Sequence, residues 1–117
     1  MRGIRGAITV QENSREAILT ATRELLERVM EENEVREEEL VSIVFTATPD
    51  LDQVYPAVAA REMGLQLVPL QCYQEMSVIN SLKKCIRVLV YINRDCSLKD
   101  IRHVYLEGAK KLRPDLV

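Results

Sequence analysis

Arg87 stands inside CIRVLVYI (residues 85–92), a stretch otherwise apolar enough to form a buried strand. Side chains alternate faces along a strand, so Arg87 shares a face with Cys85, Leu89 and Tyr91. A guanidinium stays protonated in a protein, and burying it unpaired costs several kcal/mol. Such an arginine implies an anion. Arg5, in RGIRGAITV, and Arg61, in the Ala-rich AVAAREM, are further cations in or beside apolar segments, and Arg113 follows in LRPDL. Glu75 is the carboxylate of QCYQEMSVINSLKK, just ahead of the Arg87 strand, with Cys72 and Tyr105 as neighbouring polar candidates. Arginines with a single carboxylate suit binding and polarising a small carboxylated compound rather than covalent chemistry. No Ser–His–Asp pattern, glycine-rich phosphate loop or HExxH motif is present.

Each of these residues also has a plainer reading. Arg5 suits a surface position, Arg61 a solvated helix face, and Arg87 an edge or a structural ion pair. Tyr105 suits a core, Cys72 a small buried apolar site, and Glu75 and Arg113 ordinary surface charge. The single histidine, His103, reads as structural or exposed. On residue pattern alone the reading stops at an oligomeric α+β domain with an anion-binding site.

The elements that must position these groups follow from periodicity. RGIRGAITV (2–10) reads as a first strand interrupted at Gly3 and Gly6. Asn13 as cap, with Glu16 three residues on, opens a helix over about 14–33, whose Ile18, Ala21, Leu25 and Val29 recur at helical spacing. Glu24 and Arg28 are placed to pair along it. Glu37–Glu39 reads as a solvated turn or short helix. LVSIVFTAT (40–48) is a central strand and TPDLDQ a loop; Pro56 begins a short helix that Gly64 stops. LQLVPL (65–70) reads as a third strand, 71–84 as a loop, CIRVLVYIN as a fourth strand and IRHVYL (101–106) as a fifth. A helical turn over GAKKL then leads to a flexible tail, 112–117. The order predicts an α+β fold, a mixed β-sheet with helices on one face. The other face is left for a second cover, which implies an oligomer.

Composition bounds the function. The chain has 117 residues, 47% hydrophobic and 29% charged, as expected of one globular domain. A net charge of −2 argues against a nucleic-acid partner. No apolar run approaches the roughly 20 residues that span a bilayer, so no membrane role is expected. Three cysteines without a CxxC pair point to a reducing cytoplasm, and a zinc site is not expected.

Taken together, RGIRGAITV, ATPDLDQVYPAVAAREMG, CYQEM, KKCIRVLVYI, IRHVYLE and LRPDL resemble the monofunctional chorismate mutases of the trimeric α/β class, over nearly the whole chain and in order. The resemblance implies a homotrimer with a barrel-like centre and active sites at the subunit interfaces. It implies conversion of chorismate to prephenate by an intramolecular Claisen rearrangement, with no cofactor and no covalent intermediate. Arg87 would then meet the ether oxygen of the breaking bond. Arg5 and Tyr105 match the group at a substrate carboxylate, and Glu75 the carboxylate on the ring hydroxyl, with Cys72 beside it. Tyr55 stands where the family usually has a phenylalanine against the substrate, next to Ala57. Arg61 and Arg113 match cations at the mouth, with Leu112 packing nearby.

Two positions depart from the family pattern. Val58 falls where relatives can carry a lysine, and Gln71 replaces a smaller hydroxyl residue next to Cys72. Two other classes share parts of the outline: trimeric signalling modules with a ferredoxin-like core, and trimeric enamine deaminases with an interface arginine. The signalling modules do not explain Arg87 together with Glu75 and a tail arginine; the deaminases stay an enzyme alternative, which loss of chorismate absorbance would separate.

Overall fold

The computed structural model describes residues 1–114. Strand β1 (Arg2–Thr9) runs unbroken through both glycines. Gly6 marks a close approach instead of an interruption: a Cβ there would lie 3.1 Å from Leu25 Cδ1 and Val88 Cγ2 and 3.2 Å from the Val104 carbonyl. Helix α1 (Arg15–Glu32) is capped by Ser14, whose backbone is extended and whose side chain accepts from the Ala17 N–H at 3.1 Å. Asn13, expected as the cap, lies one residue too early. It bridges instead to Asp52, donating from Nδ2 at 2.8 Å and accepting the Asp52 N–H at 3.1 Å. Along α1, Arg28 lies 4.0 Å from Glu32. At the far end, Asn33 holds both the carbonyl and the N–H of Arg102, at 2.9 and 2.8 Å, and its own carbonyl accepts from Arg94.

A 3₁₀ turn at Glu37–Glu39 leads into β2 (Leu40–Ala47), and α2 (Ala57–Glu62) follows Pro56 and ends near Gly64, whose φ of +97° suits glycine. The third strand is not 65–70 but β3, Leu70–Gln74. Leu65 is drawn into the close of α2, its N–H bonded to the Ala60 carbonyl, while Leu67 is 97% exposed. Pro69 has no N–H to give a ladder, and its carbonyl takes the Ile43 N–H before pairing begins at Leu70. Cys72 therefore lies in a strand and Glu75 directly after it, rather than in a loop. β4 (Cys85–Ile92) is as expected; β5 (Val104–Leu106) is shorter than 101–106, and a 3₁₀ turn, Glu107–Leu112, follows it. Residues 115–117 of the expected tail lie outside the described residues.

The sheet order is β3-β2-β4-β1-β5, with β4 antiparallel to both β1 and β2 and the two edge strands parallel to their neighbours. Even-numbered residues of β1 and β4 (Ile4, Ile8, Ile86, Val88, Val90, Ile92) and the odd-numbered Ile43 and Phe45 of β2 pack with Ile18, Leu25, Leu26 and Val29 of α1. One face is thus sealed by the helices. The other carries Val44, Leu89 and Tyr91, all half-buried. The Glu107–Leu112 turn covers one end of it, where Ala7, Cys85 and Ala109 form a second small core with Leu82, Tyr105 and Leu112.

Candidate functional site

The register places the chemistry on the open face. Arg87 is paired with Thr46 of β2 on one side and with Ala7 of β1 on the other; Tyr73 continues the row beyond Thr46, and Tyr105 beyond Ala7. Directly paired side chains on one face are in contact range. Arg5, opposite Leu89, sits in the next row. Leu112 packs beside Tyr105 in the second core. Arg87, Arg5, Tyr105 and Leu112 therefore share one surface.

Glu75 joins them from the end of β3. Its N–H bonds the Ala47 carbonyl at 2.9 Å, which extends the ladder by one residue and keeps its side chain on the Tyr73 face. Glu75 Oε1 accepts from Thr46 Oγ1 at 2.9 Å and lies 3.6 Å from Arg87 Nε. The second distance exceeds hydrogen-bond range. Arg87 Nε is buried and makes no hydrogen bond among the described residues, while the Arg87 side chain as a whole remains 39% exposed. The cation is anchored at one end and presented at the other, with a donor still to be satisfied.

His103, read from the sequence as structural or exposed, borders this surface. Its Nδ1 accepts the Arg5 backbone N–H at 2.9 Å, fixing the strand from which the Arg5 side chain projects. Burial, with the charges of Arg5 and Arg113 nearby, pulls the imidazole below its ordinary pKa. The ring is thus neutral where it must accept. Arg113 stands close enough to be felt there, which brings it to the Arg5 side of the site.

The remaining candidates form a second group. Cys72 points to the opposite face from Gln71 and Tyr73, against the helix-covered core, and burial raises its thiol pKa against the opposing pull of the Ala57 amide and the Arg61 charge. Gln71, by the same alternation, lies on the open face, where its Oε1 takes the Tyr73 hydroxyl at 2.5 Å. Tyr55, 70% exposed, lines a cleft of about 600 Å³ with Cys72, Val58, Asp52 and Gln74. Ala57 is buried at the start of α2, and Arg61 is exposed on it. β3 and β5 are opposite edges of the sheet, so Cys72 and Tyr105 stand about 19 Å apart, four strand spacings of about 4.8 Å. Cys72 and Ala57 belong to the helix-covered side of the sheet, whereas Arg87, Glu75, Arg5 and Tyr105 belong to the open face.

Thr46 escaped the sequence reading. Its signal was present in LVSIVFTA, where alternation puts the hydroxyl opposite to Phe45, away from the core.

The family model described as chorismate mutase type I matches residues 1–116. Chorismate mutase AroH of Bacillus subtilis (strain 168) is 51% identical over 117 residues, covering 99% of this chain and 92% of that protein. Chorismate mutase AroH of Thermus thermophilus is 50% identical, covering 99% and 96%. The solved chorismate mutase from Clostridium thermocellum superposes with a TM-score of 0.93 at 47% identity, covering 95% of this chain and 99% of that one.

Proposed function

This chain belongs to the type I chorismate mutase family and is a chorismate mutase, and we propose that Arg87 and Glu75 carry its reaction, the rearrangement of chorismate to prephenate in aromatic amino acid biosynthesis. Within one molecule the ether C–O bond breaks as a C–C bond forms, and negative charge grows on the ether oxygen. Arg87 faces that oxygen. The observation that carries this reading is the buried Arg87 Nε, without a hydrogen bond among the described residues and fixed in the central strand of the sheet. A donor set in place beforehand stabilises the developing charge with no reorganisation during the reaction.

Glu75 receives the ring hydroxyl, Arg5 and Tyr105 hold a carboxylate, and Arg113 closes the mouth beside Leu112. Tyr55, Ala57, Arg61 and Cys72 are supplied by a neighbouring copy, because Cys72 and the start of α2 pack on the helix-covered side of the sheet, whereas Arg87, Glu75, Arg5 and Tyr105 line its open face. That split, and the open sheet face with Val44, Leu89 and Tyr91, support a homotrimer whose open faces meet in a barrel-like centre with active sites between subunits. The mechanism uses no cofactor: the protein folds the substrate and stabilises its transition state. The chain of residues 1–117 acts as a single domain with 112–117 as a closing tail. Its three free cysteines fit a reducing cytoplasm. Among the described residues no helix is long and apolar enough to cross a membrane.

Incubation with chorismate, followed by loss of its absorbance, tests the activity, and sedimentation under assay conditions tests the assembly. Turnover by a homotrimer is expected. A stable, fully active monomer would overturn the shared site.

A further inference from the structure

We infer that Thr46 is a positioning residue, whose hydroxyl holds Glu75 in the geometry that leaves Arg87 available to the reacting oxygen; this rests on the roles proposed above for Glu75 and Arg87. Thr46 is the direct cross-strand partner of Arg87 on the open face. Its Oγ1 donates to Glu75 Oε1 at 2.9 Å, and that same oxygen stands 3.6 Å from Arg87 Nε.

A carboxylate beside a guanidinium ordinarily closes into a short, often bidentate pair, using N–H donors at about 2.7–2.9 Å. Here the two groups stop short of that, although Arg87 Nε is buried and makes no hydrogen bond among the described residues. The Thr46 bond accounts for it: Oε1 is already engaged from the β2 side, and turning toward Arg87 would break that bond. Glu75 thereby compensates the charge of Arg87 without occupying its donors. Oε2 is left to receive the substrate hydroxyl. Loss of the Thr46 hydroxyl frees the carboxylate to close on Arg87, which both withdraws Glu75 from the substrate and takes donors from the ether oxygen.

The test is chorismate turnover and thermal melting of the assembled enzyme as Thr46→Val, Thr46→Ser, Glu75→Ala and the double variant Thr46→Val/Glu75→Ala. Valine keeps the branched shape and strand preference and removes only the hydroxyl. Thr46→Val should lower kcat/KM about tenfold, the worth of a hydrogen bond to a charged group, with kcat falling more than KM rises and the melting temperature nearly unchanged. Thr46→Ser should recover most of the loss, and Thr46→Val should cost nothing further once Glu75 is alanine. If valine does not fold at this position, Thr46→Ala removes the same hydroxyl and carries the same expectations. An active Thr46→Val within about twofold of the parent, or an equal loss in the Glu75→Ala background, would overturn the inference while leaving the chorismate mutase reading intact. A parent chain without turnover would overturn both.

Discussion

Replacing Arg87 with citrulline separates charge from shape. The urea of citrulline keeps the length, the planarity and most of the donors, and removes only the cation. Arg87 is held in β4, paired on both sides, so the isostere starts from the same position. Its value to the reaction follows from Coulomb's law: about half a unit of developing charge, about 3 Å away at an effective dielectric of about 20, gives about 3 kcal/mol. That matches the roughly 3–4 kcal/mol lost when a fixed oxyanion donor is removed, and corresponds to a fall in kcat of about 100-fold or more. Substrate binding should change far less, since the ground-state ether carries little charge. Lysine should rescue in part, restoring charge without the planar fork. The assay is chorismate turnover at saturating substrate, with thermal melting of the same variant. A structural ion pair with Glu75, and nothing more, would instead show as a lower melting temperature with kcat intact. An unchanged kcat in the citrulline variant would remove Arg87 from the mechanism.

Other expectations concern the groups around it. Glu75→Ala should reduce kcat/KM strongly and Glu75→Asp should keep part of it; steady-state kinetics giving an alanine variant within about twofold of the parent would mark Glu75 as surface charge. Removing residues 112–117 takes away Leu112 and Arg113, proposed above to stand at the mouth, and should raise KM more than it lowers kcat, with the reverse split counting against a closing role. Arg94 bonds Glu39 at 2.9 Å and, with the Arg36 amide, holds its carboxyl down at about 2 from an ordinary 4.5. The folded pKa is depressed, so this pairing contributes stability above about pH 4.5 that is lost as pH falls toward 2. Melting curves across that range should fall less steeply for Glu39→Gln. His103 works in the same direction at higher pH: its pKa is lowered, so stability should begin to decline as pH drops below its ordinary value of about 6.5, and thermal melts of His103→Asn should lack that step.

The order of elements and the face occupied by Arg87 were legible because both rest on local alternation. CIRVLVYI puts one charged group on an otherwise apolar strand whatever its neighbours are. The third strand was misread because LQLVPL has the right hydrophobicity but the wrong donors: Pro69 cannot pair, and Leu65 is claimed by α2. Asn13 and Ser14 are both good caps, and only the path of the chain decides between them. The resemblance implied sites between subunits, but which residues fall in each of the two proposed groups could not be read from local pattern. That depends on which side of the sheet the helices cover, a matter of topology that no local pattern encodes. The face of Thr46 was legible from alternation, but its bond to Glu75 was not, since that is a contact between two strands whose register the sequence does not state.

The strand order also governs how this enzyme can come into being. β1 is hydrogen-bonded to β4 and β5, so Arg2 meets Ile92 and Gly6 meets Val104, whereas β1 is followed in the chain by α1, which cannot satisfy its ladder. During synthesis the first strand has to wait, unpaired, until most of the polypeptide has left the ribosome, and the loop then closed is long, which slows folding. The Arg5 and Arg87 surface therefore forms late and all at once. Until then the nascent chain presents an apolar edge that invites association with its neighbours, and its dependence on chaperones should be set by the arrival of β4 more than by anything encoded in β1 itself.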